Sequence, residues 1–334
     1  MRAAVTAAGS FAIAEVPDPT AGPGDLVLAV AATGVCGSDL STAPLLPDGT
    51  IMGHEFAGVV VAAGTDVEEQ WPLGSPVASM PVIGCTRCRA CVTGDIAHCP
   101  DAEAVGLGLA PGALAEYVRV RAASSVRLDL LAGSASVVVE DAALAEPLAV
   151  GLHAVTRAQV APDDRVLVLG AGPVGLAVLH WMSRMPSGEI VCSDPSVGRR
   201  AAALEIGADV AVAPDEISAL RGNGFDVVVE CVGKPGMVAA AVDASGVHGT
   251  VVIAGVCMGE DTFLPVAGVV KETTVHFVSY YTKAEFTAAT RAVVTGAVDS
   301  SLFVTERVGL GDVGRVFDEL RAPGDQRKVL IAPR

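Results

Sequence analysis

From about residue 150 onward, short apolar runs alternate with longer stretches of helical character. RVLVLG (165–170) reads as a strand, PVGLAVLHWMSRM (173–185) as a helix and EIVCSD (189–194) as the next strand. RRAAALEIGA (199–208) is helix-like, VAVA (210–213) a short strand, FDVVVECVG (225–233) a strand, PGMVAAAVDAS (235–245) a helix and GTVVIAGV (249–256) a strand. Such alternation predicts βαβ units on a doubly wound parallel sheet. The first 145 residues have another texture. DLVLAVAATG (25–34) and FAGVVVAAGTDV (56–67) read as strands, broken by PDPTAGPGD (17–25) and WPLGSP (71–76). After TVHFVSYY (274–281) comes a helix, KAEFTAATRAVVTG (283–296), and a tail ending in RKVLIAPR (327–334). The pattern therefore predicts a β-rich part, an α/β part and a return segment that rejoins the first. No internal repeat or low-complexity linker is evident.

Composition changes this picture little. The 334 residues suit two domains better than one core. The chain is 51% hydrophobic and 18% charged. No apolar run reaches the roughly 18 residues that a membrane helix needs, and the opening MRAAVTAAGSFAIAEV lacks the sustained apolar core of a signal peptide. The net charge of −16 repels nucleic acid, and the largest basic cluster is the pair Arg199–Arg200. No membrane or nucleic-acid partner is expected, and the acidity reads as solubility.

Cysteine usage adds chemistry. Cys85, Cys88, Cys91 and Cys99 form C-x2-C-x2-C-x7-C within residues 84–99. Thiolates three residues apart converge on one ion more readily than they pair as disulfides. Four sulfurs close a tetrahedral shell, which favours a structural zinc; an iron–sulfur cluster, whose common runs are spaced differently, and disulfides are the competing uses. Reduced thiols imply the cytoplasm. Cys192, Cys231 and Cys257 read as core thiols.

VLVLGAGPVGL contains Gly170, Gly172 and Gly175 as G-x-G-x-x-G, directly after a strand and opening a helix at Pro173 and Val174. In that context the glycines allow a tight turn, close approach of a pyrophosphate and close helix–strand packing, and the helix N-terminus favours the anion. Asp194 ends the next strand, where a carboxylate accepts from ribose hydroxyls and repels a 2′-phosphate. This argues for NAD over NADP, a preference that Arg199 and Arg200 soften. A vestigial site on the same fold is the competing reading.

In the β-rich part, GVCGSDL supplies Cys36, Ser38 and Asp39, MGHEFAGVVVAAGTDV supplies His54 and Glu55, and ALAEPLAVGLHAV carries Glu146. Taken singly they read as a small buried thiol, a satisfied core histidine and a helix-start carboxylate. Taken together they resemble a known pattern. GHE-x2-G-x5-G-x2-V, with Gly58, Gly64 and Val67, is similar to the signature of the zinc-containing medium-chain alcohol and polyol dehydrogenases. GVCGSD resembles that family's first metal-ligand segment and residues 84–99 its structural-zinc lobe, and the motif order matches over nearly the whole chain.

The resemblance implies a GroES-like catalytic domain (1–147 and 284–334) around a Rossmann coenzyme domain (148–283). It implies two zinc ions per chain and NAD. The catalytic zinc is held by Cys36 and His54, with Glu55 and Glu146 as acidic ligands or groups just behind them; this leaves a position open for substrate. Glutamate at 146, where many relatives have cysteine, resembles the polyol, threonine and butanediol branch. Val174, Val232 and Val256 are implied to line the cofactor, with Pro173 and Arg199 beside it. The implied reaction is hydride transfer between a secondary alcohol and the nicotinamide, with zinc as Lewis acid and Ser38 as first proton acceptor. Ser41 stands where many relatives place an outer relay histidine, so the onward path runs through water and ribose or through the glutamates. A homodimer or homotetramer acting on a small alcohol or ketone is expected, and the low aromatic content favours an aliphatic pocket. An NADPH-dependent carbonyl or enone reductase is the rival enzyme, and a silent zinc- and nucleotide-binding redox sensor the rival non-enzyme. Fold analogy does not choose a substrate.

Overall fold

The computed structural model describes residues 1–133, 136–322 and 324–333. The chain forms two compact units: Met1–Ala149 with Tyr281–Ala322 and Lys328–Arg334, and Val150–Tyr280 with Pro323–Arg327.

The first unit is built on a seven-stranded sheet. Its centre is the antiparallel pair Asp25–Gly34 and Glu55–Ala63, whose register sets Gly34 opposite Glu55 and Thr33 opposite Phe56. Both strands are apolar on nearly every position; Asp25–Gly34 is buried on both faces almost throughout, whereas Glu55–Ala63 is buried at its start and opens to solvent at Val61. Leu26, Leu28, Phe56, Val60, Val77, Val118 and Val120 form the core on one side. The C-terminal strand Lys328–Ala332 lies on the other flank, antiparallel to Asp25–Gly34 with Ile331 opposite Thr33, and Val304–Gly309 pairs outside it as the edge. The tail thus returns to the first unit, as the apolar run KVLIA leads one to expect.

The second unit carries six parallel strands. Their order is Val210–Val212, Ile190–Ser193, Val166–Leu169, Phe225–Glu230, Ser245–Ile253, Thr274–Phe277. Numbered along the chain this is 3-2-1-4-5-6, the doubly wound Rossmann order. Both expected architectures are therefore present. Strand Val166–Leu169 is wholly buried, which explains why it shows no alternation.

Three details differ from the sequence reading. Helix Ala145–Ala158 runs across the change in texture near residue 150, because AEPLAVGLHAVTRA keeps helical spacing throughout. Asp325 and Gln326, expected with the catalytic domain, group with the second unit through their contacts with Ser196 and Arg199. Of the three thiols expected in the core, Cys192 is fully buried, whereas Cys231 and Cys257 follow strand ends and are half-buried. No helix among the described residues is long and apolar enough to cross a membrane.

Candidate functional site

The strand pair of the first unit assembles the reactive cluster. Cys36 follows the end of Asp25–Gly34 and precedes the helix Gly37–Thr42, while His54 immediately precedes and Glu55 begins the partner strand. Because Gly34 and Glu55 are register partners, Cys36, His54 and Glu55 meet, with one donor atom from each within 4.8 Å of the others. A tetrahedral zinc with bonds of about 2.0–2.3 Å has donor–donor edges of roughly 3.3–3.8 Å, so thiol, imidazole and carboxylate here suit that ion.

Asp39 orients the imidazole. It is fully buried, lies 3.1 Å from His54 Nδ1 through Oδ1, and accepts the Cys36 backbone N–H at 3.0 Å through Oδ2. With Nδ1 on the Asp39 side, the other ring nitrogen is the one that could serve a metal, the usual arrangement behind a metal-bound histidine. Burial opposes a charge on His54, but the Asp39 carboxylate and then Cys36 outweigh it and raise the imidazole well above its ordinary range.

Glu55 is held differently from what its position in the motif suggests. Lys328 Nζ contacts both of its carboxylate oxygens, 2.6 Å from Oε1, and donates to Val35 O at 2.9 Å. Both side chains are 1% exposed. Glu146 stands in the first turn of Ala145–Ala158 and lies outside the tight three-residue cluster. Burial pushes its carboxyl up to about 7, against the pull of His54, with Glu55 adding to the rise and Lys328 and the Tyr281 hydroxyl opposing it. Ser38 is half-buried on the helix Gly37–Thr42, two residues beyond Cys36, and Ser41 is exposed on the same helix, 3.5 Å from Gly37 O through its hydroxyl.

The sequence names Asp39 without giving it a role, and does not mark Lys328 or Tyr281 at all. Asp39 had a signal, since it stands in the quoted CGSD beside Cys36. Lys328 had none, being 273 positions from Glu55.

The cysteine lobe is also assembled. Cys85, Cys88, Cys91 and Cys99 present sulfurs within 4.8 Å of one another, and all four are free thiols. Cys85 Sγ and Cys91 Sγ are 4.0 Å apart, about twice a disulfide bond. Backbone N–H groups point at the sulfurs: Cys88 N to Cys85 Sγ at 3.4 Å, Cys91 N to Cys88 Sγ at 3.5 Å and Cys85 N to Cys99 Sγ at 3.4 Å. Backbone N–H groups of Arg87 and Cys88 lower the Cys85 thiol to about 6. This favours thiolate, the form that binds metal. Cys91→Ala leaves three sulfurs; the expected result is loss of one zinc per chain with a lower melting temperature, while turnover per folded chain persists. Metal analysis beside calorimetry checks this, and a fully stable variant with reduced turnover would give the lobe a chemical role instead.

In the second unit Gly170 ends strand Val166–Leu169, Gly172 caps the helix Pro173–Met182, and Pro173 and Val174 form its first turn. A Cβ on Gly175 would fall 1.8 Å from Gly170 O, so only glycine lets this helix approach the strand. A Cβ on Gly172 would meet no protein atom within 4 Å. That glycine serves no internal contact and leaves open the mouth of the turn, as a pyrophosphate requires. Asp194 is 3% exposed at the end of Ile190–Ser193; its Oδ2 accepts Ala171 N and its Oδ1 Ser196 N, each at 2.8 Å. Each oxygen keeps a lone pair for a ribose hydroxyl. Val232 and Val256 follow the C-terminal ends of Phe225–Glu230 and Ser245–Ile253 and are 37% and 56% exposed. Glu230, also absent from the sequence reading, fixes the first of these loops by accepting Val232 N at 2.6 Å and Gly233 N at 2.8 Å. Arg199 is turned onto Gln326 O, with Nε at 3.0 Å and Nη2 at 2.7 Å.

Known proteins are similar to this chain in both halves. Residues 22–129 match the alcohol dehydrogenase GroES-like domain, and residues 173–295 match the zinc-binding dehydrogenase family. L-arabinitol 4-dehydrogenase of Hypocrea jecorina is 32% identical over 320 residues, covering 90% of this chain and 83% of that protein. Among solved structures, 2R,3R-butanediol dehydrogenase from Bacillus subtilis gives a TM-score of 0.85 at 27% identity, covering 100% of this chain and 99% of that one. A protein from Sinorhizobium meliloti 1021 solved bound to NADP gives 0.87 at 29% identity, covering 99% of both chains. Matched in both halves, and carrying the thiol–imidazole–carboxylate cluster in one unit and the glycine turn in the other, the chain belongs to the zinc-containing medium-chain alcohol and polyol dehydrogenases.

Proposed function

We propose that this zinc-dependent dehydrogenase interconverts a secondary alcohol of a small diol or polyol and its ketone, with NAD as hydride carrier. The observation that carries this reading is the buried meeting of Cys36, His54 and Glu55. Diol and polyol substrates are supported by the relatives acting on L-arabinitol and 2R,3R-butanediol.

Cys36 and His54 hold the catalytic ion with Glu146 as third ligand; Glu55 lies within the cluster, but Lys328 takes both of its carboxylate oxygens, which puts it behind the ion. When bound, zinc supplies Lewis acidity toward the alcohol oxygen. Asp39 keeps His54 in one orientation, and Ser38 relays the hydroxyl proton of the substrate, taking it on its oxygen while passing its own hydroxyl proton onward to water. The second ion sits among Cys85, Cys88, Cys91 and Cys99. Metal analysis is expected to find about two zinc ions per chain, and mild chelation to remove activity before the fold. A single ion with full activity would sink the catalytic site.

NAD is supported by Asp194, whose buried carboxylate disfavours a 2′-phosphate. With zinc-loaded enzyme, NADH formation is expected over a panel of alcohols, diols and polyols, and kcat/KM should be higher for NAD than for NADP. Asp194→Ala should narrow that gap. No turnover of any secondary alcohol, or a wild-type preference for NADP, would overturn the respective part.

A homodimer or homotetramer is supported by the second unit. Strand Thr274–Phe277 is the last of its sheet, and Phe277 is 72% exposed, with Leu264, Val266, Val269 and Val270 of the neighbouring segment exposed too. An open apolar edge of this kind calls for a cover. Light scattering checks the assembly, a monomer mass overturning it. The reduced thiols support the cytoplasm as location, which cell fractionation tests.

A further inference from the structure

The end of the second Rossmann strand is where the adenosine ribose of a dinucleotide is read. Three donors follow Asp194 there: the Ser196 hydroxyl, the Gly198 backbone N–H at the start of the helix Val197–Ile206, and the Arg199 guanidinium. These are the groups that a 2′-phosphate would use, an anion at a helix N-terminus with an arginine beside it. All three are occupied by two residues from near the other end of the chain. Asp325 Oδ1 accepts the Ser196 hydroxyl at 2.5 Å and Gly198 N at 3.2 Å, and Gln326 O accepts Arg199 Nε at 3.0 Å and Nη2 at 2.7 Å. These residues group with the Rossmann unit although the strand that follows them, Lys328–Ala332, belongs to the first unit.

Asp325 is itself exposed, and its side chain rests directly against Gly198. A Cβ on Gly198 would lie 2.6 Å from Asp325 Cγ and 2.9 Å from its Cβ and Oδ1, so any other residue there would displace the carboxylate or its strand of chain. The Ser196 hydroxyl, and after it the Gly198 N–H, hold the Asp325 carboxyl below its ordinary range, so it is ionised at neutral pH.

We propose that Asp325 is a cofactor-specificity residue: it plugs the donors that would receive a 2′-phosphate and, by seating Gln326, holds Arg199 away from that position. The proposal rests on the reading that this unit binds NAD through Asp194, and adds a second, independent barrier. Asp194 repels the phosphate from the strand end, and Asp325 does so from the helix start. Arg199, which by its sequence softens the NAD preference, is thereby kept from doing so. Like-charge juxtaposition and occupied donors both act against the wrong ligand while leaving the 2′-hydroxyl form untouched.

The test measures kcat/KM for NAD and NADP, with binding of 2′,5′-ADP by calorimetry, on the zinc-loaded full chain at low salt, where exposed charges are least screened. Asp325→Ala is expected to raise the NADP-to-NAD ratio about tenfold and to tighten 2′,5′-ADP by a similar factor. Adding Arg199→Ala should cancel that gain, because the released guanidinium is what takes the phosphate. Asp325→Asn keeps the shape, loses the charge and should shift the ratio in the same direction by less; it carries the test should the alanine variant fail to fold. An unchanged ratio in both Asp325 variants, with Asp194→Ala shifting it, overturns the role of Asp325 and leaves the NAD reading standing. A gain that survives loss of Arg199 overturns the holding of that arginine. A wild-type preference for NADP overturns the NAD reading and this proposal with it.

Discussion

Lys328→Met is expected to destabilise the first unit by about 3–5 kcal/mol, because it leaves the Glu55 carboxylate buried without its counter-charge. Glu55 and Lys328 are each 1% exposed, and Lys328 Nζ also satisfies Val35 O. The first thermal transition should fall by roughly 5–15 °C. The second substitution Glu55→Gln should recover part of this loss, since a neutral amide costs less to bury than an unpaired charge. The double-mutant comparison separates the ion pair from simple loss of the lysine stem, whose packing both variants lack. A single variant melting within a degree or two of the wild type would show that Lys328 does not neutralise Glu55 in solution. The same variants read out the metal site: if Glu146 rather than Glu55 holds the catalytic ion, Glu55→Gln alone retains zinc, whereas Glu146→Gln loses it.

Ser38→Ala is expected to lower kcat by about 10²–10⁴-fold, the range typical of a positioned general acid or base, with zinc content and NAD affinity nearly unchanged. The reason is position: Ser38 is half-buried, two residues beyond Cys36, and is the hydroxyl of CGSD. Ser41→Ala should matter far less, because Ser41 is exposed and its hydroxyl turns back toward Gly37 O. Steady-state rates across pH provide the check. Wild-type turnover in Ser38→Ala at every pH would move the proton path to Glu55, Glu146 or water.

The features that sequence alone determined share one property, a short separation between the residues concerned. The four cysteines of residues 84–99 lie close enough that local turns bring their sulfurs together, and their spacing marks them as a candidate ligand set. The glycine turn and Asp194 belong to one βαβ unit, whose right-handed crossover leaves little freedom in where the second strand ends. The alternation of apolar runs and helices reported the parallel sheet because strands buried on both faces must be apolar throughout. His54, Glu55 and Cys36 were legible as motifs, although their meeting depends on the register of two strands.

Tertiary structure decided what no spacing carries. Lys328 reaches Glu55 across 273 positions only because the C-terminal strand pairs beside Asp25–Gly34, and a lone lysine before an apolar run has no pattern to mark it. The contacts of Asp325 and Gln326 with Ser196, Gly198 and Arg199 arise in the same way, from a tail that touches the Rossmann unit before entering the first sheet. Glu230 was hidden for a different reason: a carboxylate closing an apolar strand reads as an edge of the pattern, and its burial becomes evident only when two loop N–H groups are seen to turn back onto it. Local sequence selects which elements form, since backbone geometry and burial periodicity act over a few residues. The charges that tune the two sites are set by long-range pairing, where one buried carboxylate needs a counter-charge and the nearest one in space is remote along the chain.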